Sequence, residues 1–203
     1  MPLDPDLVEF TTASPTAINL SYLELSTGTV FQTFYLADDE TPAYSLSSNV
    51  FYGQDGFVVL GGGNLEKNYD LLTQTPFTVG GQTIVNIGLL LRNTGPSQIV
   101  ATTLTIRILH VTAGATETSL GTASLAYSET VGTGSTWKNF AAKIDVSDKV
   151  FGKGETLRLE VVITAPSANG TIVIGNDPVN RLDLLSGTWT YSNSKIIVPI
   201  KTD

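Results

Sequence analysis

The stretch Ile99-Val-Ala-Thr-Thr-Leu-Thr-Ile-Arg-Ile-Leu-His-Val111 decides the fold. Within it Leu104, Ile106, Ile108 and His110 share one parity, and Thr105 and Arg107 share the other. Side chains of an extended chain alternate between two faces, so the pattern predicts a strand with one buried and one wet face. Glu155 to Ile163 repeats it, with Leu157, Leu159, Val161 and Ile163 on one side. Opposite them stand Thr156, Arg158, Glu160 and Val162.

Working outward, Gln82 to Arg92 is apolar on both parities, as a central strand covered on both faces requires, and Asn93-Thr-Gly-Pro96 ends it. Ser119 to Tyr127, Trp137 to Val146, Gly170 to Ile174 and Lys195 to Ile200 have the same strand character, with glycine, asparagine or proline between them. No long segment of 3.6-residue period occurs, which disfavours parallel βαβ architectures, and no internal repeat suggests a propeller or solenoid. The pattern predicts an all-β protein: an antiparallel β-sandwich, jelly-roll-like, with an N-terminal extended or hairpin region.

That N-terminal region has its own texture. Val30-Phe-Gln-Thr-Phe-Tyr-Leu36 is rich in aromatic and β-branched residues and stops at Asp38-Asp-Glu-Thr-Pro42. Asn49-Val-Phe-Tyr52 and Phe57-Val-Val-Leu60 flank Gly53-Gln-Asp-Gly56 and read as a hairpin. After Gly61-Gly-Gly63, the segment Asn64-Leu-Glu-Lys-Asn-Tyr-Asp-Leu-Leu72 is the one candidate for a short helical turn, with Asn64 as N-cap.

The chain has 203 residues, 41% hydrophobic and 15% charged, enough to bury a core as one domain, alone or with an arm. With no cysteine it has no disulfide, thiolate metal ligand or thiol nucleophile. A net charge of −8 opposes unaided binding to nucleic acid or an anionic membrane. The charge is unevenly placed. Residues 1–66 hold nine acids and no lysine or arginine; the remainder holds ten acids against eleven bases. The ordinary meaning of such asymmetry is a solvated acidic surface. The sharper one is a segment that lies against a neighbour, and it divides the chain into an acidic arm or hairpin region, 1–66, and a sandwich, 67–203. The start Met-Pro-Leu-Asp-Pro-Asp carries no signal-peptide pattern, and no apolar run is long enough to span a membrane. The sequons at Asn19 and Asn169 are of a kind that arises by chance at this length.

The residues assign no catalytic, cofactor or metal site. His110, the sole histidine, sits on the apolar parity of its strand, where a core or edge histidine with one hydrogen bond is expected rather than a general base. One imidazole and no thiolate cannot make a zinc centre. Gly61-Gly62-Gly63 lacks the further glycine of a dinucleotide loop, since position 66 is Glu66, and lacks the Gly-Lys-Ser/Thr of a P-loop. The carboxylates Asp38-Asp39-Glu40, Asp145 with Asp148, and Asp177 with Asp183 are the candidates for glycoside hydrolysis or a bound cation; the first group reads better as a solvated turn. Trp189 and Tyr191 share one parity and could stack on a sugar, although tryptophans more often fill cores and interfaces.

The C-terminal part resembles a family. Gly154-Glu-Thr-Leu-Arg-Leu-Glu-Val-Val-Ile-Thr164, Gly170-Thr-Ile-Val-Ile-Gly-Asn-Asp-Pro-Val-Asn-Arg181 and Ser194-Lys-Ile-Ile-Val-Pro-Ile200 are similar to the closing strands of jelly-roll capsid decoration (cement) proteins of tailed viruses. The resemblance implies a non-enzymatic structural protein of a virion surface, a homo-oligomer such as a trimer, bound to the major capsid protein and to itself. It implies neither a cofactor nor a nucleic-acid or membrane partner. The contact residues expected are Phe31, Phe34 and Tyr35, with Phe51 and Tyr52, and on the C-terminal side Trp189 and Tyr191. Two alternatives stand beside it: a carbohydrate-binding or adhesion module reading glycans through Trp189 and Tyr191, and a jelly-roll enzyme acting on glycans through two carboxylates. On the arm-and-body division, removal of residues 1–60 is expected to leave a folded body.

Overall fold

The computed structural model describes residues 29–37, 44–48, 57–60, 65–93, 98–164, 170–175 and 194–201. They form eleven strands and no helix: β1 Thr29–Ala37, β2 Ser45–Ser47, β3 Phe57–Leu60, β4 Leu65–Leu72, β5 Phe77–Asn93 and β6 Gln98–Val111. The series continues with β7 Glu117–Val131, β8 Gly134–Phe151, β9 Thr156–Thr164, β10 Gly170–Gly175 and β11 Lys195–Lys201. The all-β class is as the alternation requires.

The strands make one curled, mixed sheet in the order β3-β10-β5-β11-β1-β2-β4-β9-β6-β7, with β8 on the other edge of β5. β5 is the axis of one half. It pairs with β8 from Phe77 to Asn93 on one edge, and with β11 and then β10 on the other. Within the two-parity apolar run of Gln82 to Arg92, side chains of both parities are buried from Ile87 to Leu91, while Ile84 on the outward parity is exposed. The second half is β4-β9-β6-β7. All pairings are antiparallel except one parallel bridge, Ser45 to Asp70, through which the three-residue β2 connects the halves.

The core lies inside the curl. Leu104, Ile106 and Ile108 of β6 face Leu157, Leu159, Val161 and Ile163 of β9, and all seven are 0% exposed. From the other half come Val85, Ile87, Leu89 and Leu91 of β5, Ile172 and Ile174 of β10, and Ile196 and Val198 of β11. The curl closes where β7 approaches β8. A Cβ added at Gly121 would lie 2.6 Å from Ile144 Cγ2 and 2.8 Å from the Asp145 carbonyl oxygen, so only a glycine lets the two strands come this close.

Two local expectations are corrected. Asn64–Leu72 is not helical: from Leu65 it is β4, paired with β9 over its whole length. Leu65, Tyr69 and Leu72 do have helical spacing, but pairing buries Tyr69 completely and leaves Leu72 more than half exposed, as a strand demands. The described residues of the expected arm are also part of the sheet. β1 lies between β11 and β2, and Phe34, Leu36 and Leu46 belong to the common core. A boundary after residue 66 would cut through β4. The stretch Asn49–Gly56 of the expected hairpin lies outside the described residues, and Phe57–Leu60 pairs with β10.

Removing residues 1–60 therefore strips one edge of β11 and one of β10, together with buried Val30, Phe34, Leu36, Ala37 and Leu46. We expect the truncated chain to lose cooperative unfolding in denaturant, and a truncated chain that still unfolds cooperatively would restore the arm. In full-length protein, Gly121→Ala should cost about 1–3 kcal/mol through overpacking. Gly114→Ala, whose added Cβ meets only Thr112 Oγ1 at 3.8 Å, should stay within about 0.5 kcal/mol in the same denaturation series.

Candidate interaction face

β1, β11, β5 and β8 lie side by side, and their register aligns the side chains that point away from the core. Phe31 stands opposite Pro199, Thr33 opposite Ile197, Ile197 opposite Ile84, and Ile84 opposite Lys143. Phe31 is 43% exposed and Ile84 36%, among the few large apolar groups so exposed. Adjacent strands are about 4.8 Å apart, so the row runs about 14 Å across four strands.

The backbone beneath this row explains its shape. Pro199 has no N–H to give to a ladder, and the β11–β5 register breaks between Ile197 and Ile200, where proline is tolerated. On β5 the β8 register breaks between Val79 and Gly81; Gly81 has φ 117°, and a Cβ added there would lie 3.5 Å from the Pro199 ring. Two neighbouring irregularities thus coincide beside Phe31. Lys143 is exposed opposite Ile84 and Lys195 is half-buried opposite Asn86, and neither forms an ion pair among the described residues. Lys201, by contrast, is engaged by Asp148. A band of apolar side chains beside two unpaired ammonium groups suits a partner carrying apolar groups next to carboxylates.

The sequence-derived contact residues divide. Phe31 and the half-buried Tyr35 point outward on β1. Phe34 is a correction: it has the opposite parity, is 6% exposed and packs in the core, so it offers no contact surface. Trp189, Tyr191, Phe51, Tyr52, Asp38–Glu40, Asp177, Asp183 and Gly61–Gly63 lie outside the described residues. Asp145 and Asp148 are exposed. Among the described residues no group of three or more histidine or carboxylate side chains is placed to hold a metal ion.

His110 is buried at the end of the core, as its parity predicts, edge-on to Phe151 at 5.0 Å. Its Nε2 lies 3.0 Å from Glu155 Oε2 without hydrogen-bond alignment. The same Glu155 oxygen accepts the Gly152 N–H at 2.7 Å. That backbone hydrogen bond, with His110 adding to it, holds the Glu155 carboxyl below its ordinary value.

The face of β4-β9-β6-β7 that points away from the core carries rows of charge that no local motif announced. Arg158 donates from Nε and Nη2 to the two oxygens of Asp70, each at 2.7 Å, and from Nη1 to Glu117. One strand-step away, Arg107 Nε lies 2.7 Å from Glu160 Oε2, and the Glu160 side chain is only 6% exposed. The alternation placed Arg107, Arg158 and Glu160 on the wet parity; the burial of Glu160 depends on neighbours that the chain brings from three other strands.

No family model matches the sequence, and no curated protein matches it. Solved structures do. A CocE/NonD family hydrolase from Staphylococcus aureus aligns with TM-score 0.55 at 12% identity, over 86% of this chain and 37% of that one. An aminopeptidase from a marine sediment archaeon, Thaumarchaeota archaeon, aligns with TM-score 0.59 at 8% identity, over 87% and 37%. An α-amino acid ester hydrolase aligns with TM-score 0.52 at 11% identity, over 85% and 36%. The likeness is one of fold. The chain spans little more than a third of the length of each of these structures.

Glu155 supplies the acid-side prediction. A carboxyl held below its ordinary value of 4.5 contributes stability above that pH, and the contribution is lost as pH falls through its folded value. Glu155→Gln should therefore narrow its stability deficit relative to the parent as pH falls below about 4.5. Parallel thermal melts between pH 3 and 7 check this; a constant difference across that range would refute it.

Proposed function

We propose that this protein is a non-enzymatic structural protein that binds its neighbours across the outer face of β1, β11, β5 and β8, as a capsid decoration protein does. The observation that carries the reading is the register-aligned group of exposed Phe31 and Ile84, half-buried Ile197 and exposed Lys143, with buried Pro199 opposite Phe31. An isolated exposed apolar residue is ordinary, whereas several aligned on one sheet face, with cations at the border that have no ion pair among the described residues, support a contact surface. The partners proposed are further copies of the chain, in a trimer or another closed oligomer, and the major capsid protein of a virion. The resemblance of the closing strands adds to this reading, by analogy of fold and pattern.

A second reading has its own support. The solved structures similar to this chain are hydrolases of which it spans little more than a third. On that reading the chain is a β-domain that packs by the same face against a larger enzyme body. Both readings make the face a contact surface, and they differ in the partner.

The test is assembly state. In multi-angle light scattering over a concentration series, the parent protein should form a discrete oligomer. Phe31→Asp and Ile84→Glu should each shift it to monomer, with stability changed by no more than about 1 kcal/mol because both sites are exposed. A parent chain that stays monomeric throughout, with variants indistinguishable from it, would sink the self-assembly reading. A discrete oligomer that survives both substitutions would move the contact surface elsewhere.

A further inference from the structure

We infer that Glu160, Glu66 and Arg107 form a proton-operated latch that holds the start of β4 onto β9 more tightly in mild acid than at neutral pH. The register places the three groups together. Glu160 of β9 stands opposite Arg107 on one side and Asn68 on the other, and Glu66 stands opposite Val162, one diagonal step from Glu160 on the same face. Diagonal neighbours across a ladder are within reach of long side chains. Arg107 lies 2.7 Å from Glu160, whose side chain is almost wholly buried. The register thus brings the Glu66 carboxyl beside the Glu160 carboxyl, whose Oε2 is buried without a hydrogen-bond partner among the described residues. Two ionised carboxylates are both acceptors and repel, so a proton on Glu160 relieves the crowding.

The charges that face this pair come from each neighbouring strand. β4 contributes Glu66 and Asp70, β9 contributes Arg158, β6 contributes Arg107 and β7 contributes Glu117. Arg158 is already shared between Asp70 and Glu117. Among the described residues that leaves Arg107 as the cation for both Glu66 and Glu160. With Glu160 protonated, one negative charge faces one guanidinium. When the proton leaves, two negative charges face the same guanidinium, one of them in a poorly hydrated site.

Burial holds Glu160 above its ordinary value of 4.5; Arg107 draws it back, while Glu66 and Glu117 push it up. The sign follows. A carboxyl raised in the folded state adds stability that is complete below the unfolded value and is lost as pH climbs through the folded one. Glu66 is exposed and sits second in β4, so its departure is the least costly release. β4 is also where the halves of the sheet join, through the bridge at Asp70. Proton loss therefore loosens the start of β4, ahead of that bridge, and leaves the β5–β8 ladder untouched. This inference does not depend on the outer face of the other half.

The experiment is amide hydrogen exchange on the full chain between pH 4.5 and 7.5, with each rate corrected for its intrinsic pH dependence. Protection at Glu66–Asn68 and Glu160–Val162 should fall several-fold across this range, while β5 and β8 stay constant. Glu160→Gln and Glu66→Gln should each flatten the response. Glu66 is exposed, so its variant carries the test alone if Glu160→Gln fails to fold. The latch is overturned if the parent shows no local change with pH, or if the change persists undiminished in Glu66→Gln.

Discussion

The double pairing of β5 is the constraint on which the rest of this structure depends. Its backbone is laddered to β8 on one edge and to β11 and β10 on the other, so most polar groups of a long apolar strand are satisfied by segments distant in the chain. Once β5 is fixed, the position of β11 sets β1, β1 sets β2, and β2 is the link to β4 and the second half. The outer row at Phe31 and Ile84 follows from this. It exists because a proline in β11 and a glycine in β5 interrupt adjacent ladders at the same level.

The joint between the halves is built differently from the halves themselves. It rests on a single parallel bridge, helped by Tyr44, which is held at φ 60° by its surroundings. The Tyr44 ring meets Tyr69 edge-on at 5.8 Å and lies under the Lys67 ammonium at 4.0 Å, and its carbonyl accepts the Asp70 N–H. A left-handed tyrosine persists only where several contacts specify it. Asp70 then turns its carboxylate to Arg158, so one residue serves the bridge through its backbone and the charged row through its side chain.

What could be read from the sequence follows from how local each signal is. The alternations of Leu104–His110 and Leu157–Ile163 are properties of single strands, and they placed the core, the wet face and the buried histidine correctly. The two-parity run of β5 likewise announced a central strand. Leu65, Tyr69 and Leu72 fit a helix face and a strand equally well, and only the long-range pairing with β9 decides between them. In Val30–Leu36 every residue is apolar, aromatic or uncharged polar, so parity did not separate exposed Phe31 from buried Phe34. The acidic bias of residues 1–66 is a property of composition, not a structural boundary: β1 and β2 pair into the sheet and β4 runs across residue 66. The burial of Glu160 has no sequence signature, because it is produced by β4, β6 and β7 together.

The pairing of β1 with β11 has a consequence for how the molecule is made. These are the first and last described strands, and β11 also closes the second edge of β5 along Thr78–Asn86. During synthesis β5 can dock with β8 as soon as the latter emerges, but its other edge waits for residues 194–201. A nascent chain held at that stage presents a long apolar strand with unpaired N–H and carbonyl groups, which is the template that misassembly uses. The order in which the ribosome delivers the strands thus makes the final eight described residues the cap on the most adhesive intermediate of the folding route.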